Sequence, residues 1–318
     1  MSHKHAHLAE TGRHTLSFSL EPTPPFRLDL TAWAQRRSPV NTMDRWDGQT
    51  YRRALWIENW PVELAVTQAG PPSDPRLNVE AELTEEVPGM RSALTVTLER
   101  LLGLTTDLTE FFRLAESDPA FGQLVLSLRG FRPPRFPSVF ETALNGIACQ
   151  QVSLILGIRL LNRMTDTWGV AFPGNEARAF PRPEDLAPLE PPALRELGFS
   201  TQKATTILTL ARAEAEGRVD LEGLVNLDND AALARLREIK GIGRWTGQYV
   251  LLRGLRRMDV FPADDVGAQH SLQRTLHLTE MPDYEGVHRL IERYKPYNGL
   301  LYFCMLLDRL TQRGLIAE

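Results

Sequence analysis

Cysteine is scarce: the 318-residue chain has 2. Cys149 and Cys304 can neither build a disulfide framework nor supply the four thiolates of an iron–sulfur cluster. Both lie among apolar residues at helical spacing, which fits a reducing cytosol. Long apolar runs are missing too. None approaches the roughly 18–20 residues of a membrane span, and the N-terminus lacks a signal-peptide core, so no membrane is expected among the partners. Nor is positive charge in excess: 36 Lys+Arg stand against 40 Asp+Glu, which excludes indiscriminate polycation binding.

What is present is ordinary for a globular protein, with 42% hydrophobic and 24% charged residues and length for one to three domains. The alternating histidines of Met1-Ser-His-Lys-His-Ala-His7 could hold a metal, but so polar a terminus reads as disordered over residues 1–12. Residues 13–104 read as an α+β domain. Leu16, Phe18 and Leu20 alternate, as do Phe26, Leu28 and Leu30, and again Leu77, Val79, Ala81 and Leu83; each set predicts a strand with one buried face. Arg52 to Val66 adds one or two strands, interrupted by Pro61, and Arg91–Leu102 turns helical. From 105 to 318 the pattern is helical. Ser138-x-x-Glu141 is a capping box opening a helix that stops near Gln150-Gln151, and a second helix runs from about Val152 to Trp168. Leu194–Gly198, Gln202–Gly217, Val287–Tyr294 and Gly299–Thr311 follow. No internal repeat has a solenoid period.

One stretch departs from this plain background: Leu236-Arg-Glu-Ile-Lys-Gly-Ile-Gly-Arg-Trp-Thr-Gly-Gln-Tyr249, followed by Asp264-Asp265. It reads as helix, tight hairpin and second helix. Gly241 and Gly243 stand at the turn, where a Cβ would crowd the backbone or forbid a positive φ. The second helix starts near Arg244, so its free amides and positive dipole end point outward beside Lys240 and Arg244. That is an anion site, suited to a nucleic-acid phosphate. Arg235, Arg237, Lys240, Arg244, Arg253, Arg256 and Arg257 against Glu238 alone suggest one directed basic face. The plainer readings are a helix C-cap glycine and an arginine-rich, solvated helix surface.

Gly241-Ile-Gly-Arg-Trp-Thr246, Tyr249 and Asp259-Val-Phe-Pro-Ala-Asp-Asp265 resemble the helix-hairpin-helix (HhH-GPD) DNA glycosylases, and within them the DNA-3-methyladenine glycosylase II (AlkA-type) branch. Phe140-Glu-x5-Ile-x-Cys-Gln-Gln-Val-Ser153, Phe180-Pro-x-Pro-Glu-x-Leu186, Leu194-x3-Gly-x4-Lys203-Ala204 and Arg293-Tyr-Lys-Pro-Tyr297 agree in order. The match runs from about residue 105 to 313. The resemblance implies a mainly α fold, a helical bundle in two lobes, preceded by a small α+β domain with an antiparallel sheet. It implies an enzyme that flips a damaged, alkylated base out of double-stranded DNA and hydrolyses its N-glycosidic bond.

Such a reaction needs a flipped nucleotide and a carboxylate near the developing sugar cation. Asp265 is the candidate catalyst, by position in the Asp-Asp block, with Asp264 supporting; the plain alternative is an N-cap after Pro262. Trp245 and Tyr249, four apart on one helical face, border the base pocket in the resembling branch, where π-faces attract a cationic base; the alternative is two core aromatics. Trp33 and Leu306 are further pocket candidates. The hairpin (Lys240, Gly241, Ile242, Gly243, Arg244, Thr246) is expected to bind DNA, and Gln151 to fill the gap left by the flipped nucleotide. A polar Gln151, Leu306 in place of a pocket tryptophan and Val266 in place of a tyrosine keep open the removal of oxidised guanine or deaminated bases; a non-catalytic DNA-binding module, which would need only the hairpin, is the other alternative. A monofunctional enzyme is expected, because Trp245 occupies the place where bifunctional relatives carry a nucleophilic lysine. No cofactor is implied, though the carbonyls of Arg237, Ile239 and Ile242 could hold an alkali cation. A monomer in a bacterial-type cytoplasm, near the nucleoid, completes the expectation.

Overall fold

The computed structural model describes residues 14–172 and 177–316; the expected disorder of residues 1–12 lies outside them. The chain opens on an antiparallel sheet of order β1-β5-β4-β3-β2, formed by β1 (His14–Leu20), β2 (Arg45–Trp46), β3 (Thr50–Ile57), β4 (Trp60–Ala69) and β5 (Arg76–Leu83). Alternation works as read: Leu77, Val79, Ala81 and Leu83 are buried while Arg76, Asn78 and Glu80 are exposed. Pro61 does not interrupt the sheet. It sits at the second position of β4, before the pairing with β5 begins at Glu63, where a missing N–H removes little.

Phe26, Leu28 and Leu30 are not a strand. Leu28–Arg36 is helix α1, buried at every position from Leu28 to Gln35 except Asp29. Three alternating apolar residues carry no period when the helix is buried on both sides: Leu28 and Ala32 pack under the sheet, while Leu30, Trp33 and Ala34 enter the helical core. Helix α2 (Met90–Leu102) closes the sheet's inner face with Leu94, Leu98 and Leu101.

The rest is helical. Helices α3 (Thr109–Glu116), α4 (Gly122–Ser127), α5 (Val139–Cys149), α6 (Leu154–Trp168), α7 (Pro183–Leu186), α8 (Pro191–Glu196), α9 (Thr201–Ala215), α10 (Asn229–Arg237), α11 (Arg244–Leu255), α12 (Val266–Thr275), α13 (Tyr284–Ile291) and α14 (Asn298–Thr311) follow, with a short hairpin of β6 (Val170–Ala171) and β7 (Arg178–Ala179) between α6 and α7. One apolar cluster joins α5, α6 and α7–α11, and a second joins α1, α3, α4 and α12–α14. These are the two lobes. Helix α11 is shared, with Val250, Leu251 and Leu255 in the first cluster and Leu252 in the second. It lies close on α5, because a Cβ at Gly146 would stand 2.8 Å from Thr246 Cγ2. No described helix is long and apolar enough to cross a membrane.

The capping box at Ser138 is half made. Ser138 Oγ accepts the Glu141 amide at 3.0 Å, but the Glu141 side chain turns inward. Arg53, on β3, donates to it and, at 2.5 Å, to Asp44, which also accepts from Tyr51 at 2.6 Å. A buried carboxylate is costly without a charged partner, so Glu141 ties α5 to the sheet instead of capping its own helix.

Candidate active site

The two lobes meet at a cavity of about 1220 Å³. Its wall comes from six places: the α5–α6 loop, the start of α9, the α10–α11 turn, the first turns of α11, Asp264–Gly267, and α14, with Arg37 reaching in from the end of α1.

The α10–α11 turn is the anticipated hairpin. The Ile242 amide donates to the Ile239 carbonyl at 3.0 Å, and Gly241 has φ +96°, with Thr206 Oγ1 2.2 Å from where a Cβ would stand. Gly243 differs: its φ is −89° and a Cβ there would meet open space. It precedes α11, whose first turn has no side-chain cap, so amides at the positive dipole end face the cavity. Ile242 is buried and anchors the turn. Thr246 is 1% exposed, and its hydroxyl accepts from Gln150 Nε2 at 2.8 Å; its side chain is therefore structural, against expectation. Gln150 also donates to the Gly241 carbonyl at 2.9 Å, which locks the α5–α6 loop to the hairpin. At the tip of that loop Gln151 is exposed, lines the cavity and adopts φ 53°, a left-handed conformation that costs a non-glycine residue free energy.

The basic face is mostly not a face. Arg253 is fully buried and donates to the Ala34 carbonyl at 3.0 Å; Arg256 and Arg257 hold backbone carbonyls of Glu99 and Arg100, and of Val225 and Leu227; Arg235 pairs with Glu238. Arginine's planar fork suits such carbonyl clusters, and sequence does not separate this use from phosphate binding. Arg244 meets Asp264 in a bidentate pair at 2.7 and 2.8 Å while its guanidinium lies 3.6 Å from the Tyr284 ring centroid. Lys240 and Arg237 are exposed, with no ion pair among the described residues.

Asp265 is both the N-cap of α12 and the carboxylate of the site. Its Oδ1 accepts the Ala268 amide at 2.9 Å; its Oδ2 accepts Trp245 Nε1 at 3.1 Å and the Tyr302 hydroxyl at 2.8 Å. Burial, then the Asp265 charge, raises the Tyr302 pKa well above the ordinary value, so Tyr302 remains a donor. Trp245 stacks on Tyr249 with centroids 5.6 Å apart and planes at 27°. Tyr249 is buried, its hydroxyl accepting from Arg37 Nη1 at 3.0 Å, and Leu306 lines the wall one turn beyond Tyr302. Trp33 is absent from that wall: it packs in the helical core with Arg36 5.1 Å from its ring. The left-handed end of α1 delivers Arg37 instead.

Sequence reasoning missed Arg37, Gln150 and Tyr302. Tyr302 carried a weak signal, four residues before Leu306 on one helical face. Arg37 carried none, being 212 residues from the tyrosine it binds. Lys203, named above only as part of a motif, lines the cavity; its Nζ donates to the Ala148 carbonyl at 2.8 Å, and burial lowers its pKa. Of the carbonyls offered to an alkali cation, that of Ile239 already accepts one amide. The described residues contain no group of three or more His, Cys, Asp or Glu side chains placed to hold a metal ion.

Residues 144–296 match the family described as HhH-GPD superfamily base excision DNA repair protein. A DNA-3-methyladenine glycosylase of Bacillus subtilis is 30% identical over 202 residues, 63% of this chain and 67% of that protein. Among solved structures, the 3-methyladenine DNA-glycosylase of Archaeoglobus fulgidus superposes with a TM-score of 0.80 at 26% identity, over 92% of this chain and 99% of its own. The 3-methyladenine DNA glycosylase Mag1 of Schizosaccharomyces pombe, in complex with abasic DNA, has a TM-score of 0.54 at 27% identity, over 64% and 96%.

Proposed function

Since this chain belongs to the HhH-GPD superfamily of base excision DNA repair proteins, beside the DNA-3-methyladenine glycosylases, we propose that its cavity holds an alkylated base flipped from double-stranded DNA and that Asp265 carries the cleavage of its glycosidic bond. One observation supports this most directly: a carboxylate pinned by Trp245, Tyr302 and a helix-end amide stands in the cavity beside two stacked aromatic rings. The uncapped start of α11, with Lys240 beside it, takes the phosphates. Gln151, at the exposed loop tip, fills the space the nucleotide leaves.

In the reaction the C1′–N bond breaks and its electron pair leaves with the base. Positive charge gathers on the sugar, facing Asp265. Water then adds its oxygen to C1′ and loses a proton, which leaves free base and an abasic site. Asp265 needs no proton of its own for this role; three donors fix its carboxyl group in one orientation.

Asp265→Asn is expected to lower single-turnover base release by about 10²-fold or more while duplex affinity stays equal or rises. Asp264→Asn costs less, because Asp264 acts through Arg244. Borohydride added during turnover traps no protein–DNA adduct, since Trp245 cannot form an imine and the Lys203 amine is held on a carbonyl. Wild-type rates in Asp265→Asn would overturn the assignment, and an adduct lost in Lys203→Ala would make the enzyme bifunctional. Binding without release from any lesion duplex would leave the non-catalytic reading.

A further inference from the structure

The hairpin belongs to one lobe, and the cavity has a second basic bank on the other. Helix α14 packs in the second apolar cluster, and Arg309 and Arg313 line the cavity from it. Four residues apart, they share one helical face. Arg309 is half-buried and Arg313 exposed, and neither makes an ion pair among the described residues; the adjacent Asp308 is already paired with Arg274 at 2.8 Å. Arg309 Nη1 meets Ser271 Oγ at 3.4 Å, a long contact with a neutral group. A Cβ at Gly267 would stand 2.8 Å from Arg309 Nη1 and 3.1 Å from Asp265 Oδ1. The guanidinium therefore lies over the first turn of α12, beside the carboxylate of the site but not bonded to it. Both Asp265 oxygens are held by Ala268, Trp245 and Tyr302 instead.

A cation in that place opposes the positive charge that gathers on the sugar, unless an anion covers it. DNA brings the anion. The cavity lies between the lobes, so a strand held by the hairpin on one side of the flipped nucleotide passes α14 on the other. We propose that Arg309 and Arg313 form a second phosphate clamp, closing on the lesion strand from the lobe opposite the hairpin, and that Arg309 takes a phosphate flanking the flipped nucleotide. The planar fork of a guanidinium matches phosphate oxygens. The phosphate neutralises Arg309, and Asp265 then meets the sugar cation without a competing charge. Grips on both sides of one nucleotide also hold the backbone in the everted form that flipping requires. The plainer role of both arginines, cations at the negative end of α14, predicts a loss of stability and no loss of DNA affinity.

The clamp rests on the reading of the cavity as the seat of a flipped nucleotide, and its test needs no catalysis. Affinity is measured for a duplex carrying an uncleavable abasic-site analogue, with the phosphates flanking it replaced one at a time by uncharged methylphosphonate. Arg309→Gln is expected to weaken the unmodified duplex about tenfold and to lower the slope of log affinity against log salt by about 1. Arg309→Lys, which keeps the charge, recovers most of the affinity. At one position the methylphosphonate weakens wild type about as much as Arg309→Gln does, and adds nothing in that variant. The same methylphosphonate and Lys240→Gln add independently, since Lys240 serves the other side. A methylphosphonate penalty equal in wild type and Arg309→Gln at every position overturns the clamp, as does a lowered thermal midpoint in Arg309→Gln with affinity unmoved. Because Arg313 is exposed, Arg313→Gln tests the clamp without touching the fold, and an unmoved salt slope there overturns it too. Failure of the wild type to release any lesion base, with the coupling intact, overturns the glycosylase reading and leaves the clamp.

Discussion

At the scale of single residues, the site is built from side chains that do two jobs. Asp265 caps α12 and faces the cavity, and the same helix-end amide that the cap satisfies fixes the carboxylate's orientation. Tyr302 donates to its other oxygen at 2.8 Å. Tyr302→Phe is expected to lower single-turnover base release about tenfold, the worth of one hydrogen bond to a charged group, with duplex affinity unchanged; equal loss of affinity and rate would assign Tyr302 to binding. Glu214 makes a separate case, far from chemistry. Burial pushes its carboxyl up to about 7, above the value of about 4.3 in an unfolded chain. The folded state then binds this proton more tightly, so the group's contribution to stability falls as pH rises from the unfolded value to about 7 and is flat above it. Glu214→Gln is expected to melt higher than wild type at pH 8 and to lose most of that advantage at pH 5, as thermal midpoints at the two pH values will show.

At the scale of elements, the two hairpin glycines divide the labour. Gly241 sits at φ +96° against Thr206, and Gly243 at φ −89° with open space. Gly241→Ala is expected to cost about 1–3 kcal/mol of stability in a denaturant titration. Gly243→Val leaves that titration nearly unmoved and weakens damaged and undamaged duplex alike, because phosphate contacts position rather than specify; a loss confined to one lesion would point away from phosphate. Elements whose signals are local were legible in the sequence. The hairpin, the break at Gln150-Gln151 and the strand at Leu77–Leu83 depend on glycines, caps and two-residue alternation. Phe26–Leu30 was misread because burial on both sides erases the helical period. The Arg53–Glu141 pair and Arg37 were invisible because their partners lie 88 and 212 residues away, and Arg253 and Arg256 looked like a DNA-facing surface because arginine serves carbonyls and phosphates with one geometry.

At the scale of the whole molecule, the sheet and the helices are joined by charge. Arg53 bridges Asp44 and Glu141 where none of the three meets water. Arg53→Met leaves two buried carboxylates without the cation they bond, with only the more distant Arg37 charge acting on both, and is expected to destabilise the protein by about 3–5 kcal/mol, read by urea unfolding; a loss below about 1 kcal/mol would mean that the carboxylates take up protons and tolerate burial. The cavity itself is stitched from distant stretches of sequence: Arg37 ends α1, Tyr249 lies in α11, Asp265 caps α12 and Tyr302 lies in α14. No single element carries the wall, so the site is a property of the folded whole and disappears as a unit when either lobe unfolds.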